Sequence, residues 1–193
     1  EPGILAQILD LRGNALLGLG KYPEACPFFD RAIQVDQSYA PAFLGRARCE
    51  FNSGQVASAI ASVKQATALD PDRLESWYLL GDLYRTMNQA TEALAAYDQA
   101  LKVRSDDFDA LTYKAMTLLS VKRMKEAETE IKRLNDMRPQ SLVAKYLKAF
   151  LLHQQGKNNE AANLLQQVLK ENPNNPQAQL LYGTINYAIK NDE

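Results

Sequence analysis

Small side chains recur along this chain in fixed phase. Ala25, Ala59, Ala93, Ala127 and Ala161 stand 34 residues apart, without one insertion. A second column, twelve residues earlier, reads Gly13, Ala47, Gly81, Ala115, Ala149 and Gly183; a third is bulky and apolar, with Phe29, Val63, Tyr97, Ile131 and Leu165. Counting from Ala6 gives five whole repeats, 6–39, 40–73, 74–107, 108–141 and 142–175, and a partial one, 176–193. Each half of a repeat has helical apolar spacing, as in Trp77, Leu80, Gly81 and Tyr84, then Ala93, Tyr97 and Ala100. Two helices per repeat follow. Gly20, Gly54, Asn88 and Gly156 sit between the halves and accept the left-handed conformation that ends a helix. Lys122 and Lys190 share that column and suit it less. Pro71, Pro139 and Pro173 close the second half, since proline cannot continue a helix. Strand-like alternation appears nowhere at useful length, so the fold class is all-α.

Two antiparallel helices packed at roughly 8–10 Å leave no room for a large side chain at their closest approach. The small columns supply that approach. Gly81 is expected to face the region of Ala93, with Trp77, Tyr84 and Tyr97 filling the space around it. Pro27, inside the second helix of the first repeat, removes a backbone hydrogen bond and is expected to kink that helix. The first repeat would then be the least regular.

Trp77-x2-Leu80-Gly81-x2-Tyr84 followed by Ala93-x3-Tyr97-x2-Ala100 resembles the tetratricopeptide repeat, over residues 6–193. The resemblance implies a right-handed α-solenoid whose first helices line a concave groove. Its leucine column is basic here at Arg12, Arg46, Lys114 and Lys148, whose stems can cover apolar surface while the charged heads reach outward. The fifth, ninth, twelfth and thirteenth positions of each repeat would face the groove. Among these, Asn14, Arg48, Tyr78, Asp82, Arg85, Met116, Tyr146, Phe150 and His153 are the candidate ligand-binding residues. Of the family's clamp for chaperone C-terminal carboxylates only Asn14 matches, with Asp10, Arg48, Tyr78 and Asp82 in the other places, so that activity is not implied. The later repeats offer an apolar, aromatic surface. Tyr78 and Tyr146, two repeats apart, would be spanned by an extended peptide of about six residues. A protein or peptide partner in the groove is the expected ligand.

Composition narrows the chemistry. With 22 Lys+Arg against 23 Asp+Glu the net charge is −1, which removes the electrostatic case for nucleic acid or an anionic membrane. Gly13 to Gly18 begins like a phosphate loop, but Leu19 stands where lysine is needed and no strand precedes it. The acidic residues form no spaced carboxylate pair for acid–base hydrolysis. His153 lacks a ligand-spaced partner. No enzyme activity, cofactor or metal site is therefore expected. Cys26 and Cys49 read by default as buried free thiols, with a disulfide between them left open.

The partial repeat leaves Leu181, Ile185 and Ile189 without the helix that would normally cover them, which suggests a piece of a longer array with any targeting signal outside it. Three stretches carry a closer resemblance: Leu11 to Tyr22, Tyr146 to Leu152 and Asn174 to Ala188. They are similar to the long tetratricopeptide lipoproteins of exosortase (PEP-CTERM) and exopolysaccharide systems in Gram-negative bacteria, the PrsT type. That likeness implies an interaction scaffold on the periplasmic side of the envelope, with a lipid anchor upstream and no membrane contact by this segment. Should the likeness fail, a cytoplasmic array is expected. The alternative function is direct binding of polysaccharide during export. An acidic polymer would need a row of groove cations, and only Arg48 and Arg85 qualify.

Overall fold

The computed structural model describes residues 1–191 and contains, among them, eleven α-helices and no strand. They fall into two compact blocks, one ending at Val103 and one beginning at Arg104. The first block holds α1 (Pro2–Gly18), α2 (Tyr22–Val35), α3 (Ala40–Asn52), α4 (Val56–Leu69), α5 (Leu74–Thr86) and α6 (Ala90–Val103). The second holds α7 (Phe108–Ser120), α8 (Met124–Met137), α9 (Leu142–Gln154), α10 (Asn158–Glu171) and α11 (Pro176–Asn191). Within each block consecutive helices pack as hairpins, and each hairpin packs on the next through its second helix.

The turns inside the hairpins are all built alike. Gly20, Gly54, Asn88, Lys122 and Gly156 take φ between 57° and 77°. The following amide reaches five residues back, from Lys21 to the Leu16 carbonyl (2.9 Å) and from Arg123 to that of Leu118 (2.9 Å), as at the other three. This bond satisfies a carbonyl left open by the helix end. Lys122 thus adopts the conformation it suits poorly, whereas Lys190 stays within α11. Helix α2 runs through Pro27 unbroken, with the same 14 residues as α4, while α1 at 17 residues is longer than the 13 of α3.

The small column packs against the bulky one, and the sizes are matched pair by pair. A Cβ on Gly81 would overlap the ring of Tyr97, which is fully buried. The neighbour of Gly81 is therefore that ring, sixteen residues on, with Ala93 buried separately on α6. Phe29 is held from both sides: a Cβ on Gly13 would come within 2.7 Å of it, and one on Gly45 of the next hairpin would overlap it. Where the bulky residue is aliphatic, the small one is alanine: Ala47 with Val63 and Ala149 with Leu165, each pair buried in one cluster.

The basic column is not simply solvated. Arg12 lies over the Phe28 ring (4.7 Å), Arg46 donates to Ser62 Oγ (3.1 Å), and Lys114 pairs with Glu130 (2.8 Å). Each partner lies sixteen residues on, where the second helix passes; Arg12 and Lys148 are the exposed members. Cys26 and Cys49 are joined as a disulfide, so the free-thiol expectation is replaced. Phe29 packs with Cys49 and brings α2 and α3 close enough, with a Cα separation of 5.8 Å. At the other end, Leu181 and Ile185 are buried by α9 and α10, with Ile189 packed against the same cluster. The preceding hairpin covers them, without need of a following helix. What α11 leaves open is Gly183, where an added Cβ would meet no neighbouring atom within 4 Å, together with Leu180 and Tyr187.

Candidate functional site

In the first block the predicted polar residues of the first helices pair with one another or with their neighbours. Arg48 on α3 reaches Glu75 on α5 (3.0 Å), tying two hairpins together. Both side chains are partly exposed, so the pair contributes at most about 1 kcal/mol. Asp82 accepts from Arg85 and from the Tyr97 hydroxyl, each at 3.0 Å. Burial, and then the Asp82 carboxylate, push the Tyr97 phenol far up, so it stays protonated and donates. Asn14 donates to the Asp10 carbonyl (3.0 Å) and Tyr39 to Asp10 Oδ2 (3.5 Å). Asp10 Oδ1 is buried without a partner. Tyr78 is half-buried on α5. This face spends its polar groups on its own architecture.

The second block is different. Tyr146, Phe150, His153 and Gln154 of α9 and Gln177, Leu180, Leu181 and Thr184 of α11 line one recess of about 290 Å³. Three of the predicted residues meet there, while exposed Met116 lies on α7 outside its lining. Tyr146 and Phe150 stand one turn apart on α9, each packed in part against the core that buries Ala149 and in part open to the recess. Leu180 is 75% exposed, an apolar side chain held out at the rim. His153 Nδ1 lies 2.8 Å from Asn158 Oδ1. A carbonyl oxygen accepts, so Nδ1 carries the proton in this contact. Burial raises the Tyr146 phenol above its usual value. The recess thus combines an apolar floor with two amides, two hydroxyls and an imidazole, which is the composition of a binding site.

Glu75 and Gln177 escaped the sequence reading. Both are second in their repeat, three repeats apart, and each comes 27 residues after a groove position, Arg48 and Phe150 respectively. The start of a first helix borders the groove of the preceding one, a column the four-position rule omits. Among the described residues no cluster of His, Cys, Asp and Glu could hold a metal, and no helix is long and apolar enough to cross a membrane.

Comparison with known proteins agrees with the helical-repeat fold. Tetratricopeptide repeat profiles match residues 16–83 and 152–193, and another such profile matches 78–141. The chain is 25% identical over 126 residues to the heat shock protein sti1 homolog of Schizosaccharomyces pombe, covering 65% of this chain and 20% of that protein. It is 31% identical over 98 residues to DnaJ homolog subfamily C member 3 of Homo sapiens, covering 50% and 19% respectively. The matched part is thus about a fifth of those relatives' length. Among solved structures, a tetratricopeptide repeat protein from Parabacteroides merdae superposes with a TM-score of 0.85 at 14% identity, covering 97% of this chain and 75% of that one. PilW, a type IV pilus biogenesis factor, gives 0.83 at 22%, covering 96% and 86%. YrrB, described as having an unusual peptide-binding site, gives 0.69 at 20%, covering 86% of each. These likenesses show the solenoid-type fold. With repeat profiles matching most of its length, the chain belongs to the tetratricopeptide repeat family.

Proposed function

We propose that this chain is a non-catalytic scaffold that holds an extended segment of a protein partner in the recess between α9 and α11. The observation that carries the reading is the convergence of Tyr146, Phe150 and Leu180 on one cavity rimmed by Gln154, Gln177 and Thr184. Aromatic and aliphatic anchors supply the affinity, and amides that both donate and accept suit a peptide backbone. A relative 29% identical over 91 residues, the Hsp70-Hsp90 organizing protein 1 of Glycine max, and YrrB with its peptide-binding site support a peptide-binding role.

The setting we propose is the periplasmic side of a Gram-negative envelope, in a PEP-CTERM or exopolysaccharide system. The sequence likeness supports it, and so does the Cys26–Cys49 pairing, since structural disulfides persist in oxidising compartments and are rare in the cytosol. A second reading, neutral glycan binding, draws on Tyr187, which is 72% exposed beside the same helix face and free to stack on a sugar ring.

Calorimetric titration with six-residue peptides and with neutral oligosaccharides separates the two. The proposal expects peptide binding, weakened at least tenfold in the Tyr146→Ala, Phe150→Ala double variant. Oligosaccharide binding lost in that variant, with no peptide response, establishes the glycan reading. Alkylation of the protein in intact cells tests the compartment: two reactive thiols would contradict an oxidising location.

A further inference from the structure

A second cavity, of about 330 Å³, lies between α8, α9 and the start of α10. It shares no residue but Leu181's neighbours' helix, α9, with the recess already described: Lys148, Leu151 and Leu152 line the cavity, whereas Tyr146, Phe150 and His153 line the recess. Its floor is Ile131, Leu151 and Leu152, all buried. Three lysines surround that floor, Lys132 from α8, Lys148 from α9 and Lys157 from the turn before α10. Among the described residues none of the three ammonium groups stands in an ion pair.

The other repeats show what is different at this place. Two repeats earlier, Tyr84 stands in the position of Leu152 and Lys64 in that of Lys132. There the tyrosine ring reaches from α5 to α4 and lies beneath the Lys64 ammonium, 5.7 Å away. Leucine is shorter and offers a cation no ring face. The corresponding positions elsewhere also satisfy themselves: Arg46 pairs with Glu50 (3.7 Å) on α3, and Gln166 of α10 donates to the Tyr182 hydroxyl of α11 (2.7 Å). Between α8 and α9 the same positions hold Lys132, Lys148 and Leu152, two like charges and a short apolar chain. Lys157 departs from its column in the same way. Its counterparts form the pairs Lys21–Glu24 (3.5 Å) and Arg123–Glu126 (2.6 Å), while Lys157 makes no such pair with Glu160.

We propose that this cavity binds a small organic anion, a carboxylate carried on a short apolar stem. Three ammonium groups against the two carboxylates of its lining, Glu128 and Glu160, leave one net positive charge. An anion shared between Lys132 and Lys148 relieves their mutual repulsion and accepts charge-assisted hydrogen bonds from both. The buried floor takes the stem out of water. The volume lies near the lower end of the roughly 300–1,000 Å³ usual for ligand cavities, which suits a small molecule or one side chain. The carboxylate has two possible sources, a free acid or an acidic residue of a partner segment. Occupation of the cavity does not depend on what fills the α9–α11 recess.

The probes are hexanoate, for a free acid, and acetylated, amidated Leu-Glu-Leu, for a partner segment, each titrated into the intact chain and read from its amide NMR shifts. Saturable shifts centred on Lys132, Leu151 and Leu152 are expected for at least one probe, and the tighter binder identifies the source. Hexanol and hexylammonium, which lack the anion, should not produce them. Lys132→Gln with Lys148→Gln should weaken binding about tenfold. Both lysines are exposed, so the melting temperature of that variant should match the parent, which separates a lost site from lost folding. Leu152→Tyr, which restores the residue of the third repeat, should close the cavity and abolish binding. Absence of saturable shifts with both probes overturns the proposal. So does equal binding of hexanol, or binding indifferent to loss of the two lysines, because the charge is then not what the cavity reads.

Discussion

Gly81 on α5 lies flat against the buried ring of Tyr97 on α6, in the one space a methyl group would need. Alanine normally stabilises a helix interior over glycine by about 1 kcal/mol. Here the added carbon meets a ring that cannot retreat, because its hydroxyl is tied to Asp82. Overpacking of this kind costs about 1–3 kcal/mol. Gly81→Ala should therefore lower stability, while Gly183→Ala, whose Cβ would meet no neighbour, should raise it by up to about 1 kcal/mol. Gly81→Ala combined with Tyr97→Leu recreates the Ala149–Leu165 pair and should recover part of the loss. Chemical denaturation of the four proteins checks the ordering; equal effects at Gly81 and Gly183 would refute the size match.

Lys114 and Glu130 form a largely buried ion pair at 2.8 Å, and Arg133 adds a second contact to the same carboxylate. Removing one partner of a buried pair strands the other charge, at about 3 kcal/mol. Arg133 stays on Glu130, so Lys114→Leu alone should cost part of that, about 2 kcal/mol. Lys114→Leu with Glu130→Ala installs the Leu80–Ala96 combination of the third repeat and should return to within about 1 kcal/mol of the parent. Urea midpoints decide it, and a double variant as weak as the single one would contradict the column equivalence.

These columns explain what could be read in advance. Helix starts at Ala40, Leu74, Phe108, Leu142 and Pro176 coincide with the repeat starts because a fixed 34-residue phase leaves one way to fold each unit. The Gly–aromatic and Ala–aliphatic matching was present in the same residues, but it needs the facing partner to be known. The Cys26–Cys49 bond depends on α2 and α3 meeting, a contact between hairpins that no local pattern encodes. For the site, Tyr146, Phe150 and His153 followed from their columns. Asp82 and Arg85 did too, but their mutual pairing, which withdraws them from ligand binding, depends on rotamers.

Lys122 holds φ at 59° in a turn whose counterparts are mostly glycine. A residue with a Cβ pays roughly 1–2 kcal/mol there, and glycine returns part of that gain through its freer unfolded chain. Lys122→Gly should stabilise the second block by about 0.5–1 kcal/mol. Asn88→Gly should gain less, because asparagine tolerates this conformation. A thermal shift series on the two variants suffices, and destabilisation at Lys122 would mean its side chain has a role the turn does not explain.

The Cys26–Cys49 bond closes a loop with a sequence separation of 23 between α2 and α3. Loop entropy of that length corresponds to about 3 kcal/mol. Reduction, or Cys26→Ala with Cys49→Ala, should destabilise the first block by about 2–4 kcal/mol. The second block, with no cysteine, should be unaffected. Hydrogen exchange resolves the two: faster exchange throughout both blocks on reduction would contradict a locally acting staple.

Asp10 gives the first block a pH dependence of unusual sign. Desolvation raises its carboxyl above the ordinary 3.8, against the lowering effect of Tyr39, Asn14, Arg48 and Arg73. The folded state therefore holds the proton more tightly than the unfolded one. Stability from this group is present below pH 3.8 and is lost as pH rises through the raised value, after which it levels off. Asp36 acts in the opposite direction, its carboxyl lowered by Ser38, so the parent curve alone does not isolate Asp10. The difference between parent and Asp10→Asn does. Asparagine keeps an acceptor for the Tyr39 hydroxyl and removes the buried charge, so the variant should be more stable than the parent at pH 7. That advantage should shrink as pH falls toward 3.8. Melting curves from pH 3 to 8 test it: an advantage that grew on acidification, or a variant less stable at pH 7, would mean that the carboxylate is held by interactions stronger than the burial that opposes it.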